Sequence, residues 1–542
     1  MKQSATLLLF GEIRTHGEVC YPKKLVWSIA ITLILTLGFV LGTTVSSLRT
    51  SPDVNIYLDG LSYPATYVID KEGSSYIATR DDGKVVFIGS KADEIIQNEI
   101  NALPRIGGTI LLKAGIYLLE GSYNYDSNIF SISKDNVRIT GEGWNSIVKL
   151  ADDSTKGSDG ARIFWISGDN CILDNFAIDG NYKNQGRINQ SRDGFNVHCH
   201  GDNFAMYNMF SHHGTGDGVE FGGTRNSIAN CKFVENWEHN IHANQAKDGV
   251  IIGNLLENKI NNGMLSLNPT SSGRTTEKIV ISHNILHGGQ ENGIKIGGAG
   301  SVDNIVVSNN IIVGTIGFGI FVRGNLNRDI QIMDNIIRAC TEGIRVELGD
   351  NIKIANNLIT HCNHSGISLS LKKEASHITI QDNKIFDNNQ NDRDGSGILL
   401  DNGDYNISGL YILRNEIVSK GTKQHKYGIA ISASGSGDYL NSFIKDNFIS
   451  SFQIEGIGLN KDIMEVTQNT GFLTENRGVG IISGSTSASF DHGLVKTPTY
   501  VEIGWKDIGY GEWKWSATDA QITITVTNSG TYHFNWYAQY EP

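Results

Sequence analysis

The sequence predicts an all-β solenoid, a right-handed parallel β-helix. Three observations point there: a recurring glycine phrase, an interleaved asparagine phrase, and a period-two alternation inside each repeat. The glycine phrase joins glycine, a branched apolar residue, any residue and a second apolar one. It reads Gly218-Val-Glu-Phe, Gly293-Ile-Lys-Ile, Gly319-Ile-Phe-Val, Gly343-Ile-Arg-Val, Gly366-Ile-Ser-Leu, Gly397-Ile-Leu-Leu, Gly428-Ile-Ala-Ile and Gly456-Ile-Gly-Leu. The asparagine phrase falls at Asn208, Asn230, Asn254, Asn284, Asn310, Asn335, Asn357, Asn383, Asn415 and Asn447, in steps of 22 to 32 residues. A repeat on that scale signals a solenoid. Alternation such as Asn351-Ile-Lys-Ile-Ala-Asn makes the unit one of strands.

Short strands in units of this length cannot bury an apolar face alone, but they can when each unit forms one coil stacked on the next. Ile, Val and Leu then point inward in rows, and each turn asparagine bonds the asparagine one coil away. Sixty-two glycines and seven prolines suit tight corners joined by strands that need every N–H. The preference of parallel crossovers sets the right hand. The solenoid is expected over residues 105–482.

Before it, residues 1–24 precede an uncharged apolar run, Leu25 to Val45, long enough at about 1.5 Å per residue to span a hydrocarbon core. Lys23 and Lys24 on its N-terminal side predict a cytoplasmic N-terminus and an exported bulk. A cleaved signal peptide is the rival reading, which would give a secreted protein. Residues 51–104 read as a β lead-in followed by an amphipathic helix at 92–103. Ile95, Ile96, Ile100 and Leu103 share one face, suited to cap the open end of the solenoid. Residues 483–542 change composition, with Trp505, Trp513, Trp515 and Trp536, and their alternating runs suggest a small β-sandwich. Its tryptophans read as core, with sugar stacking and homotrimer formation left open.

A net charge of −12 argues against nucleic acid as a partner. Six cysteines show neither a disulfide framework nor metal-type spacing; Cys199 and Cys231 read as buried thiols.

Strict alternation in Asp193-Gly-Phe-Asn-Val-His-Cys-His turns Phe195, Val197 and Cys199 inward and Asn196, His198 and His200 outward. Glu220 and His242 follow on the outer face of the next two coils, and the row is expected to run on through Ser266, Lys295, Arg323, Arg345 with Glu347, and Ser368. Six of the fifteen histidines (His198, His200, His212, His213, His239 and His242) fall within 45 residues. Imidazole beside carboxylate transfers protons near neutral pH, and the cations beyond it can pair with carboxylates of a polymer. A zinc site in these histidines would lack a tight spacing signature.

Ile178-Asp-Gly-Asn-Tyr-Lys-Asn, Asp193-Gly-Phe-Asn-Val-His and Thr215-Gly-Asp-Gly-Val resemble the β-helix module of alginate mannuronan C5-epimerases and related pectate-lyase-like proteins, from the cap helix to about residue 270. The resemblance implies that His198 stands at the family's catalytic histidine and Arg187 near a carboxylate-neutralising basic residue. Asn196 replaces the family's aspartate, Asp193 its tyrosine and Val197 its proline. Calcium in place of a cationic clamp, as in pectate lyases, is a further implication, although no calcium-loop motif is visible. Hydrolysis would need a carboxylate pair, for which Asp193, Asp217 and Glu220 are at hand.

Two functions follow. In the first, a membrane-tethered extracellular protein binds an acidic (uronate) polysaccharide and modifies it by lyase or C5-epimerase chemistry. His198, Glu220 and His242 are its catalytic candidates; Arg187, Asp193, Asn196, His200, Asp217, Lys295, Arg323 and Arg345 are its substrate-binding ones. In the second, it is a non-catalytic surface adhesin or envelope structural protein.

Overall fold

The structure is a computed structural model. It describes residues 66–540 apart from 124–127, 156–159, 186–193, 261–262, 325, 392–394, 421–424, 433–435, 451, 459–464, 471–474 and 495–496, with the backbone alone at 452–458 and 465–466. The expected membrane span at 25–45 lies outside the described residues. Among those described, no helix is long and apolar enough to cross a membrane.

Parallel pairing between residues 22 to 34 apart builds the coils. Each coil contributes a strand to three faces, such as Phe318–Val322, Leu326–Met333 and Ile336–Arg338. The third face is a 13-stranded parallel sheet, from Gly115–Leu119 to Phe448–Ser450. Ile294, Ile320, Ile344, Ile367, Ile398 and Ile429 pair rung by rung and are fully buried, and Val322, Val346, Leu369 and Leu400 form a second inward row. The expected solenoid and its core register are therefore present.

The asparagine ladder runs from Asn254 through Asn284, Asn310, Asn335, Asn357, Asn383, Asn415 and Asn447 to Asn469. Each Nδ2 donates to the next Oδ1 at 2.9–3.0 Å. Each of these Oδ1 atoms also accepts the backbone N–H of the preceding asparagine, so the buried amides are satisfied along the stack. Asn208 and Asn230, expected in this ladder, stand one residue earlier at left-handed corners, φ +50° and +52°. Asparagine tolerates that conformation, which explains why it recurs at both places. In the Asn230 coil the ladder position is held by Cys231, whose N–H donates to Asn254 Oδ1 at 2.9 Å.

The repeat glycine also points inward. A Cβ on Gly319 would lie 2.6 Å from the carbonyl oxygen of Gly343, and one on Gly343 would lie 2.3 Å from that of Gly366. The corner there turns two successive residues into the core, glycine and the isoleucine after it, which strict alternation does not allow for.

Helix α1, Ala92–Ala102, caps the coils as expected, burying Ile95, Ile96 and Ile100. Strand Tyr67–Glu72 heads an antiparallel meander and pairs in parallel with Gly108–Leu112, so the lead-in forms a rung of its own. At the other end, the expected sandwich is instead one four-stranded antiparallel sheet around the long strand Gln521–Gln539. The stretch from Ser483 belongs to strand Glu475–Asp491, which pairs with Gln521–Gln539. Trp536 is buried in that module, while Trp513 is exposed.

Candidate functional site

The outer row of the first face runs Trp165, His198, Glu220, His242, Ser266, Lys295, Phe321, Arg345 and Ser368 on successive rungs. His198, Glu220 and His242 are adjacent as the sequence predicts. Arg323, expected on this row, is not: Phe321 pairs with Lys295, and Arg323 follows the strand with its guanidinium 5.5 Å from the Phe321 ring.

Asn196 is the second correction. It stands at the repeat-glycine position, one rung before Gly218, and its side chain enters the interior. Its Nδ2 donates to Ser211 Oγ at 3.0 Å and the His212 carbonyl at 3.3 Å, and the residue is fully buried. Phe195, expected inward, lies instead against the His198 ring, 4.6 Å between centroids. The inward pair at the corner is Asn196 and Val197, so outward residues are spaced by three across it. Phe195 and His198, Asp217 and Glu220, and His239 and His242 all obey that spacing. That spacing was the signal for His239, which two-residue alternation passes over. Arg187 and Asp193 lie outside the described residues.

Asp217 organises the cluster. Its Oδ1 accepts the backbone N–H of His239 at 2.7 Å and lies 3.1 Å from His239 Nδ1, while Oδ2 lies 3.0 Å from His242 Nδ1. Burial alone would raise the Asp217 pKa, but the two histidines outweigh it and hold the carboxyl ionised. Glu220 Oε2 is 3.4 Å from the same His242 nitrogen, and Glu220 Oε1 accepts from Asn244 Nδ2 at 2.9 Å.

His242 Nε2 lies 3.1 Å from the Asn268 carbonyl oxygen. A carbonyl only accepts, so Nε2 carries a proton, and Nδ1 facing two carboxylates carries another. Burial opposes that charge, yet Asp217 and Glu220 raise the imidazole well above its ordinary value. His242 is thus a buried imidazolium with no free lone pair.

His198 is its opposite. Burial pushes its pKa down to about 4, and its ring stacks on Trp165 at 4.4 Å with Nε2 2.6 Å from His200 Nε2. The buried Nδ1 of His198 has no hydrogen-bond partner among the described residues. A neutral imidazole, an ionised glutamate and an imidazolium therefore follow one another on three rungs.

Farther along, Asn268, Lys295, Arg323 and Glu347 line a depression of about 440 Å³. Arg345 is already engaged: Glu342 Oε1 lies 3.4 Å from Nη1, Glu347 Oε1 lies 3.6 Å from Nε, and Nη2 donates to Ser370 Oγ at 3.1 Å. Calcium calls for six to eight oxygen donors. The groups around Asp217 and Glu220 are largely imidazoles, so the cluster does not fit that ion.

Residues 270–449 match the family model described as "Right handed beta helix region". No curated protein matches the chain. Among solved structures, a double mutant of the tailspike protein of E. coli bacteriophage HK620 in complex with pentasaccharide is similar at 12% identity and TM-score 0.53, over 85% of this chain and 92% of that one. A single mutant of the same tailspike, also with pentasaccharide, gives 12% identity and 0.52 over the same shares. The Azotobacter vinelandii mannuronan C-5 epimerase AlgE6 A-module gives 16% identity and 0.43, over 70% of this chain and 95% of that one. At these identities the likeness concerns the fold: this chain is a right-handed parallel β-helix.

Proposed function

We propose that the chain binds an acidic polysaccharide along the outer row of the first face and modifies it by proton transfer at the carbon next to a uronate carboxyl. The carrying observation is the charge sequence on three rungs: His198 neutral, Glu220 ionised, His242 cationic. Peptide rungs are about 4.8 Å apart, so a bound glycan lying along the row meets all three. In this reading the His198–His200 pair is the base, since His198 is the imidazole able to take a proton. His242 supplies positive charge opposite the enolate that forms, with Asp217 as its positioning residue. Lys295 and Arg323 hold a neighbouring carboxylate. Loss of the 4-O substituent then gives a lyase product, and reprotonation from the other side gives an epimer. The pentasaccharide held by the tailspike of the same fold supports a glycan as the ligand. The apolar run at 25–45 would tether the solenoid to a membrane with its bulk outside.

Incubating the full chain with uronate polymers in deuterated water tests this. Solvent deuterium at C5, or new double-bond absorbance, is expected from the wild type and absent from His198→Ala with its fold intact. Binding without either signal would leave the adhesin reading standing.

A further inference from the structure

We propose that Asp179, His212 and His213, on the outer side of the third face, form a binding site for a divalent transition-metal ion of the zinc type. The site lies on another face from the histidine row and has no part in the chemistry above. Asp179 and His212 pair across adjacent rungs, in strands Ala177–Asp179 and Phe210–His212. His213 takes the corner that follows, with a left-handed backbone at φ +49°. The turn it makes brings its ring back beside its neighbour's.

Three donor atoms converge. His212 Nδ1 and His213 Nδ1 are 2.9 Å apart, and each lies 3.6 Å from Asp179 Oδ1. At 3.6 Å neither imidazole is hydrogen-bonded to that oxygen, which instead accepts the Asn181 backbone N–H at 2.9 Å. The triangle matches a metal's needs: ligands bound at about 2.1 Å in a tetrahedron stand about 3.4 Å from one another. A point about 2.1 Å from all three atoms lies about 0.7 Å off their plane. An ion would reach it by displacing the proton that the two Nδ1 atoms share in their 2.9 Å hydrogen bond.

The surroundings are those of ligating groups. Lys149 Nζ holds the other Asp179 oxygen at 3.0 Å, and Glu235 Oε2, which accepts from Lys183 Nζ at 3.0 Å, lies 3.7 Å from His213 Nε2, beyond hydrogen-bond range but close enough for its charge to favour a metal-bound ring. Phe210 stacks on His212 with centroids 4.2 Å apart. His213 is about a third exposed, so water can complete the shell. Two imidazoles and one carboxylate select zinc, cobalt or iron(II) over calcium or magnesium. The Asp217 cluster differs, because its carboxylate already engages two imidazoles and a backbone N–H at 2.7–3.1 Å.

The test titrates chelator-stripped full-length protein with Zn²⁺ against a chromophoric chelator, and with Co²⁺ while following its visible d–d bands. One equivalent should bind, with bands of a four-coordinate site, and Zn²⁺ should raise the thermal midpoint. His212→Gln and Asp179→Asn, near in shape to the originals, should each weaken binding more than about 100-fold, and Glu235→Gln about tenfold. His239→Ala should bind as the wild type does. Absence of Zn²⁺ binding, unchanged affinity in both His212→Gln and Asp179→Asn, or loss in His239→Ala alone would overturn the assignment. Circular dichroism of each variant reports its fold, and a Glu235→Gln affinity equal to wild type would also count against the site.

Discussion

Glu99 should make the cap of the solenoid pH-sensitive in a direction opposite to that of paired carboxylates. It sits on the inner side of helix α1 with its side chain fully buried, and neither carboxyl oxygen has a hydrogen-bond partner among the described residues. Burial raises its pKa from 4.5 to about 7. Between those values the folded chain keeps a proton that the unfolded chain has lost. Stability contributed here therefore falls as pH rises through that window, and stays level above it. At about 1.4 kcal/mol per tenfold, the loss amounts to at most about 3 kcal/mol. Glu99→Gln keeps the shape and removes the charge, so it should match the wild type near pH 4.5 and exceed it at pH 8. Hydrogen exchange at the amides of Ala92–Ala102 is the sharpest assay, since a cap opens locally. Corrected for intrinsic rates, exchange in the variant should slow by up to about 100-fold at pH 8 and be unchanged near pH 4.5. Equal protection at both pH values, or a variant less protected at pH 8, would refute the argument.

Ile344→Asp would bury an unpaired charge in the central row and should cost several kcal/mol or more, read as a lowered thermal midpoint. Asn335→Ala removes the oxygen that accepts both Nδ2 and N–H of Asn310, and should cost about 1–3 kcal/mol for each donor left buried, measured by denaturant unfolding. His425 accepts the Asn388 N–H through Nε2 and is held by burial at a pKa of about 4. Because its folded value is depressed, its contribution is present above about pH 6.5 and is lost as pH falls toward 4. His425→Gln should flatten that limb of the stability profile. Arg345→Ala strands Glu342, which burial already pushes toward the protonated form, so it should lower stability more than glycan affinity.

Repetition made the solenoid legible, because every coil states the same inward phrase and errors in one are corrected by the next. The cap helix was legible from its apolar period for the same reason of local consistency. The site was legible only where strands are straight. His198, Glu220 and His242 sit mid-strand, so counting by two places them correctly. Asn196 and Phe195 sit at a corner, where two residues in succession turn inward and the count slips. Arg323 was misplaced through a similar slip past the strand end, which left Phe321 on the rung. His239 was hidden because its signal is a spacing of three, visible only once the corner is known. The C-terminal sheet has no repeat, and its pairing rests on long-range contacts that composition does not encode.

The asparagine ladder carries a consequence for how such a chain can change length. Each asparagine offers its neighbours the same donor and acceptor, so no rung is addressed to a particular partner. Excising the 22 residues from Asn335 to Asn356 would bring Asn310 against Asn357, with Ile311 beside Leu358, and shorten the rod by about 4.8 Å. The uniform ladder begins at Asn254, in the coil of His242, while His198 and Glu220 lie on the coils before it, whose inward positions hold Asn196 and Cys231 instead. Those coils are not interchangeable. The molecule is thus part ruler and part instrument: beyond Arg323 its reach can be reset by whole turns without moving the residues proposed to meet a ligand.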